Sequence, residues 1–173
     1  MKELDGIIRR SLSSFVTDLR DRSWRVQRER EAVSQYVFGH LLKEIRDGGW
    51  LSDSAQISIE YPVPQLPSEQ AKKISGRRGS KGQVCKDVVL WPKPRTTCWD
   101  ELGNPTVAPS AILEWKFGKS GIYEPDAKWL EDFSVIYPGF VGYAVAVNRP
   151  GAEFLLMCMR VSGGVREPDW LHI

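Results

Sequence analysis

Apolar and polar residues recur with two different periods along the chain, and these periods predict its elements. Apolar residues follow helical spacing over residues 3–20 and again over residues 26–45, after which a glycine pair provides a stop signal. A period of two follows over residues 57–63, with Pro62 among the polar positions. That alternation predicts a half-exposed strand with Pro62 at or near a sheet edge.

The second half of the chain contains nearly continuous apolar runs, which are typical of interior strands. Such runs cover residues 84–91, 141–147 and 154–161, and a further strand is predicted for Ala111–Phe117. A helix is expected to begin at Pro125, because proline is favoured in the first helical position. The predicted order is therefore helix, helix, three strands, helix and two strands.

This order predicts an α/β (α+β) fold with a central mixed sheet of about five strands flanked by helices. The length of 173 residues suits a single domain. We divide it into an N-terminal helix in residues 1–22, a core in residues 23–161 and a tail without clear pattern in residues 162–173. Residues 64–83 form a basic, glycine-containing loop within the core.

Composition and charge narrow the function classes only slightly. Hydrophobic residues make up 42% and charged residues 27%, as in an ordinary globular domain, and the net charge of +2 favours no particular partner. Three cysteines without C-x-x-C spacing and two histidines argue against a disulfide framework or a Cys/His zinc site and suit a reducing cytosol. With no signal-peptide or membrane-span pattern, we expect a cytoplasmic protein without a membrane partner.

Charged residues interrupt two of the predicted strands. In Ala111–Phe117, Glu114 and Lys116 share one face of the strand, while Trp115 points to the other. Asp87 lies in the preceding apolar strand, where a lone carboxylate is costly to bury. Glu29 falls on the apolar stripe of the second helix, where it is either a paired buried group or an exposed residue near the helix start.

Carboxylates on neighbouring strands suggest a metal site. Two or three oxygen ligands with open positions suit Mg²⁺, which keeps several waters and also binds phosphate. Such an ion activates water and neutralises charge on a phosphodiester. A lysine beside it can orient or deprotonate the attacking water and stabilise developing negative charge.

Asp87-Val88-Val89-Leu90 followed by Ile112-Leu113-Glu114-Trp115-Lys116 resembles the D…(D/E)-x-K signature of the PD-(D/E)XK, or restriction endonuclease-like, nuclease superfamily. The order from the second helix through the strand at residues 141–147 resembles that superfamily's α-β-β-β-α-β core. Lys86 stands where the proline of the motif's name would be.

The resemblance implies a set of site residues. Asp87 and Glu114 would bind Mg²⁺, with Mn²⁺ as a substitute, and the Trp115 carbonyl would add a backbone ligand. Lys116 would be the catalytic lysine, and Glu29 would be the helix carboxylate, with Glu31 as the reserve choice. The helix from Pro125, which carries Asp126 and Lys128, would turn Lys128 toward substrate phosphate.

The basic loop is a candidate surface for a phosphate backbone, although such loops are more often only solvated. Its cationic residues are Lys72, Lys73, Arg77, Arg78 and Lys81. Together with the carboxylates and Lys116, they predict a Mg²⁺-dependent deoxyribonuclease, with DNA favoured over RNA and endonuclease over exonuclease action. Cutting both strands of a duplex with one site per chain would often require a homodimer.

Two other functions remain open from the sequence. The same fold could bind nucleic acid without cleaving it, using the basic loop and residues such as Trp99 for backbone contact and stacking. Alternatively, a small α+β protein with seven tryptophans could be an interaction protein whose aromatic residues anchor a partner.

Overall fold

A computed structural model of the chain describes residues 2–21, 28–66 and 82–173. Within these ranges the protein has three α-helices and one six-stranded sheet. The helices are α1 (Lys2–Asp21), α2 (Glu29–Gly39) and α3 (Glu124–Ile136). The strands are β1 (Ile57–Pro64), β2 (Gln83–Leu90), β3 (Ala111–Phe117), β4 (Val141–Asn148), β5 (Leu155–Ser162) and β6 (Val165–His172).

The coarse α+β class is confirmed, and the sheet is mixed as predicted. Its strands lie in sequence order, and every neighbouring pair is antiparallel except β3 and β4. Helix α3 connects those two parallel strands, because parallel neighbours require a crossover rather than a tight turn. No helix among the described residues is long and apolar enough to cross a membrane.

Two elements differ from the prediction. The second helix ends at Gly39, and its apolar stripe continues into a 3-10 turn, Leu41–Glu44, whose Leu41 is fully buried. The segment after residue 162, for which no element was predicted, forms β6 and brings the sheet to six strands. Gly163 and Gly164 both have positive φ, as a two-residue hairpin turn requires, so β6 folds back directly on β5.

The sheet separates two apolar cores. Helices α1 and α2 cover one face, where Trp115 packs among the aromatic rings of Phe15 and Tyr36. Helix α3 covers the other face, where its Phe133 and the sheet residue Ala144 belong to one buried cluster. Strand β3 is buried from both sides, which explains why its apolar run is nearly continuous.

The β1–β2 hairpin changes face half-way along its length. Ile57 and Ile59 pack with the α1–α2 core, whereas Tyr61 and Val63, of the same parity, pack with the α3 core. Between them lies Glu60 with a φ of 50°, a left-handed value that is uncommon outside glycine. Residues of the same parity therefore point to one face of the sheet before Glu60 and to the opposite face after it.

Strand β2 changes face opposite Glu60, at Asp87. Its ladder with β1 is continuous on both sides of that pair, but Val88 belongs to the α1–α2 core and Val84 contacts the α3 core. The reversal turns Lys86 toward α3, where strict alternation from Val88 would have placed it under α1 and α2.

Candidate active site

The candidate site forms where β2 and β3 separate. Their ladder pairs only residues 88–90 with residues 111–113, so beyond that point one edge of β3 has no backbone partner in β2. Side-chain carboxylates accept hydrogen bonds from the backbone N–H groups of this edge instead. Trp115 N donates to Asp87 Oδ2 at 2.7 Å, and Phe117 N donates to Glu29 Oε2 at 3.4 Å. Two of the predicted site carboxylates are thus held at the open edge of β3 by main-chain groups that must be satisfied.

Lys116 lies at the centre of this edge. Its Nζ donates to the Trp115 carbonyl at 2.6 Å and to Glu29 Oε1 at 3.3 Å. Asp126 Oδ2, from the first turn of α3, lies 3.1 Å from Nζ as an ion pair without hydrogen-bond geometry. Elements that are distant in the chain therefore converge on one ammonium group.

Glu114 has a different partner. Its side chain is 6% exposed and forms an ion pair with Lys86, which is 4% exposed. The Lys86 Nζ also lies 3.5 Å from the centre of the Trp129 ring on α3, in a cation–π contact. Lys86 is thus enclosed between a carboxylate of the sheet and an aromatic ring of the crossover helix.

The electrostatic environment shifts the pKa values of two of these groups, Glu114 and Lys116. Burial raises the pKa of Glu114, Lys86 lowers it, and the Asp87 and Asp126 carboxylates raise it, so that together these effects bring it to about 7. Burial also works to lower the pKa of Lys116, but the charge of Asp126, followed by those of Glu29 and Asp87, raises it overall. Lys116 therefore stays an ammonium at neutral pH and is suited to stabilising negative charge rather than to removing a proton.

The charges of the cluster do not cancel. It contains four carboxylates and two ammonium groups, so its formal charge is −2 when all are ionised: Glu29, Asp87, Glu114 and Asp126, with Lys86 and Lys116. One divalent cation would balance that excess. Asp87 Oδ1 and Glu114 Oε2 have no hydrogen-bond partner among the described residues, which leaves each carboxylate one oxygen to offer.

The donor set limits what kind of ion would fit. No group of three His, Cys, Asp or Glu side chains in the described part of the chain could hold a metal ion together. An ion at this place would be bound by two carboxylates, and water and substrate phosphate would supply its other ligands. Mg²⁺ is commonly held in this way. The Trp115 carbonyl, expected as a backbone ligand, already accepts from Lys116.

The remaining predicted site residues have mixed placements. Glu29, rather than Glu31, faces Lys116, and Glu31 is exposed. Lys128 Nζ pairs with Asp132 at 2.7 Å and with Glu131 at 3.7 Å along α3, and its contact with substrate phosphate stays a prediction. The five cationic residues of the basic loop lie outside the described residues.

Lys86 and Asp126 were not predicted to be site residues. A lysine inside the apolar run of β2 was a usable signal, because a lysine buried there requires an internal counter-ion. Asp126 was identified only as a first-turn residue of α3, and its pairing with Lys116 depends on how the crossover helix lies over β3.

A cleft of about 630 Å³ adjoins the cluster on the side of the loop between β3 and α3. Its lining residues are Lys116, Lys119, Ser120, Gly121, Ile122 and Tyr123. A separate groove of about 350 Å³ lies between α1 and α2, around Phe38 and His40, and contains none of the cluster residues. Of these two, the cleft beside Lys116 is the one that borders the charged cluster.

No family model, curated protein or solved structure matches the chain. The geometry of the cluster and the cleft is therefore the basis for assigning a function.

Proposed function

We propose that the protein is a Mg²⁺-dependent nuclease that hydrolyses phosphodiester bonds of DNA. The observation that carries this proposal is the meeting of Asp87, Glu114 and Lys116 where β2 and β3 separate, in a cluster whose formal charge is −2 when all its groups are ionised. The order α2-β1-β2-β3-α3-β4 supports assigning the core to the restriction endonuclease-like fold. Mn²⁺ would substitute for Mg²⁺.

Each residue has a role that follows from its contacts. Asp87 and Glu114 would hold the ion through their oxygens without partners, and the ion would supply charge neutralisation and an activated water. Lys116, kept protonated by its carboxylate neighbours, would stabilise the negative charge that develops on the phosphate. Glu29 and Asp126 position the Lys116 ammonium from opposite helices.

The proposal is tested with purified protein and plasmid, linear duplex, single-stranded DNA and RNA, each with Mg²⁺ and with EDTA. Cleavage is expected only with Mg²⁺, and Asp87→Asn, Glu114→Gln and Lys116→Met should each reduce it at least about 100-fold. Asp47→Asn and Lys43→Met remove the same kinds of charge from exposed residues and should retain activity. Cleavage by Lys116→Met at the rate of Lys43→Met would refute the proposal.

One observation favours a second candidate function. The Lys86 ammonium already neutralises Glu114, as a cation does in a site that no longer takes up metal. A nucleic-acid-binding module without cleavage would then use the same face. Salt-dependent DNA binding that is insensitive to EDTA, without any cutting, would favour this function over the nuclease.

A further inference from the structure

The cleft beside Lys116 has the chemistry of a nucleotide subsite. Tyr123, the residue that precedes α3, is 50% exposed. Its ring centre lies 5.5 Å from the Lys116 Nζ. An exposed aromatic face at this distance from the proposed reaction centre offers a base a surface on which to stack.

The charge of the cleft complements a phosphate group. None of its six lining residues is acidic, although one of them, Lys116, pairs with the carboxylates of Glu29 and Asp126. Lys119 is exposed and has no ion-pair or hydrogen-bond partner among the residues that the structure describes. Its ammonium is therefore available to pair with an incoming anion.

The cleft has room for a small part of a nucleic acid. Its volume of about 630 Å³ is in the range of small-molecule sites and suits a nucleotide or two. A base can stack on Tyr123 only if it is unstacked from its neighbours in the nucleic acid.

We propose that Tyr123 and Lys119 bind an unpaired nucleotide adjacent to the scissile phosphate, so that the substrate is single-stranded DNA or a frayed or flapped end. This inference rests on the proposed nuclease function and names the substrate class of the same site. Tyr123 stacks the base, and Lys119 pairs with the neighbouring phosphate.

Binding is measured in EDTA, where no cleavage occurs, with a single-stranded oligonucleotide carrying 2-aminopurine and with a blunt duplex of the same sequence. The wild-type protein should bind the single strand more tightly and change the 2-aminopurine fluorescence. Tyr123→Leu should weaken that binding by about 5- to 100-fold, whereas Tyr123→Phe should retain it, because stacking requires the ring and not the hydroxyl.

Lys119→Met provides a second test that does not depend on the aromatic residue. It should reduce the slope of log affinity against log salt concentration by about one, and Lys43→Met should leave the slope unchanged. Thermal melting of each variant checks that the fold is retained.

The outcomes separate this inference from the proposed function. Metal-dependent cutting with equal affinity for single strand and duplex, and no effect of Tyr123→Leu, would overturn the cleft assignment and leave the nuclease proposal standing. Tyr123-dependent binding without cutting would support the cleft and refute the nuclease. Absence of both binding and cutting would overturn both.

Discussion

Replacing Lys86 by methionine tests the least expected contact of the site. The change keeps most of the apolar stem and removes the ammonium that pairs with Glu114 and lies over Trp129. Removing one partner of a buried ion pair leaves an uncompensated charge, and such changes typically cost about 3–5 kcal/mol. The destabilisation by Lys86→Met should depend on pH, because Glu114 becomes neutral when it takes up a proton.

The direction of the pH dependence follows from the raised pKa of Glu114. Its surroundings, burial foremost, raise that pKa from 4.5 to about 7, so the folded protein binds this proton more tightly than the unfolded chain does. The contribution of the Glu114 proton to the free energy of unfolding is fully present below about pH 4.5 and is lost as the pH rises through about 7. The loss amounts to roughly 3 kcal/mol. Without Lys86 the pKa of Glu114 rises further, and the loss extends to higher pH.

The measurement is urea unfolding in EDTA at about pH 5 and about pH 8.5. Lys86→Met should cost about 3–5 kcal/mol at the higher pH and about 1–2 kcal/mol at the lower pH, where mainly the cation–π contact is lost. Glu114→Gln should flatten the dependence between these values, and Lys43→Met, at an exposed residue, should stay within about 0.5 kcal/mol of the wild type. An equal cost for Lys86→Met at both pH values would refute the reasoning.

Three further predictions concern the frame around the site. Asp87→Ala should destabilise the protein by about 1–3 kcal/mol in urea unfolding because Trp115 N loses its acceptor, whereas Asp87→Asn keeps an acceptor and should cost less; equal costs would contradict the hydrogen bond. Gly142→Ala would place a Cβ 2.8 Å from Leu130 Cβ and should cost about 1–3 kcal/mol, and an unchanged melting temperature would show that α3 does not press on β4. Glu60→Val should be about 1–2 kcal/mol less stable than Glu60→Gly in urea unfolding, since both lose the carboxylate that pairs with Arg30 but only valine is strained at a φ of 50°. Equal stability would argue against the left-handed conformation.

Periodicity predicted the elements that have a continuous apolar run or a full apolar stripe. Strand β3 has the predicted bounds and helix α3 begins at Glu124, one residue before the predicted Pro125, because buried runs and a proline in the first helical turn depend only on local sequence. Strand β6 was missed because an edge strand needs few apolar residues, and of this one only Leu171 is buried. The Gly163-Gly164 pair, with positive φ at both residues, was the available hairpin signal.

The site was predictable only in part, for a similar reason. Alternation along β3 correctly places Glu114 and Lys116 on the face opposite Trp115. That prediction required only the local sequence. The partners of the two lysines were not predictable, since they depend on the face reversal in β2 and on the lie of α3 over the sheet. Lys86 is the example: alternation from Val88 assigns it to the wrong face.

The face reversal at Glu60 and Asp87 also has a consequence for cooperativity. One half of the β1–β2 hairpin belongs to the core under α1 and α2, and the other half belongs to the core under α3. Neither core can open without breaking the same hairpin ladder, so the two layers should not behave as separate folding units. Amide hydrogen exchange in α1 and in the sheet-facing turns of α3 should therefore converge on one opening free energy, that of global unfolding.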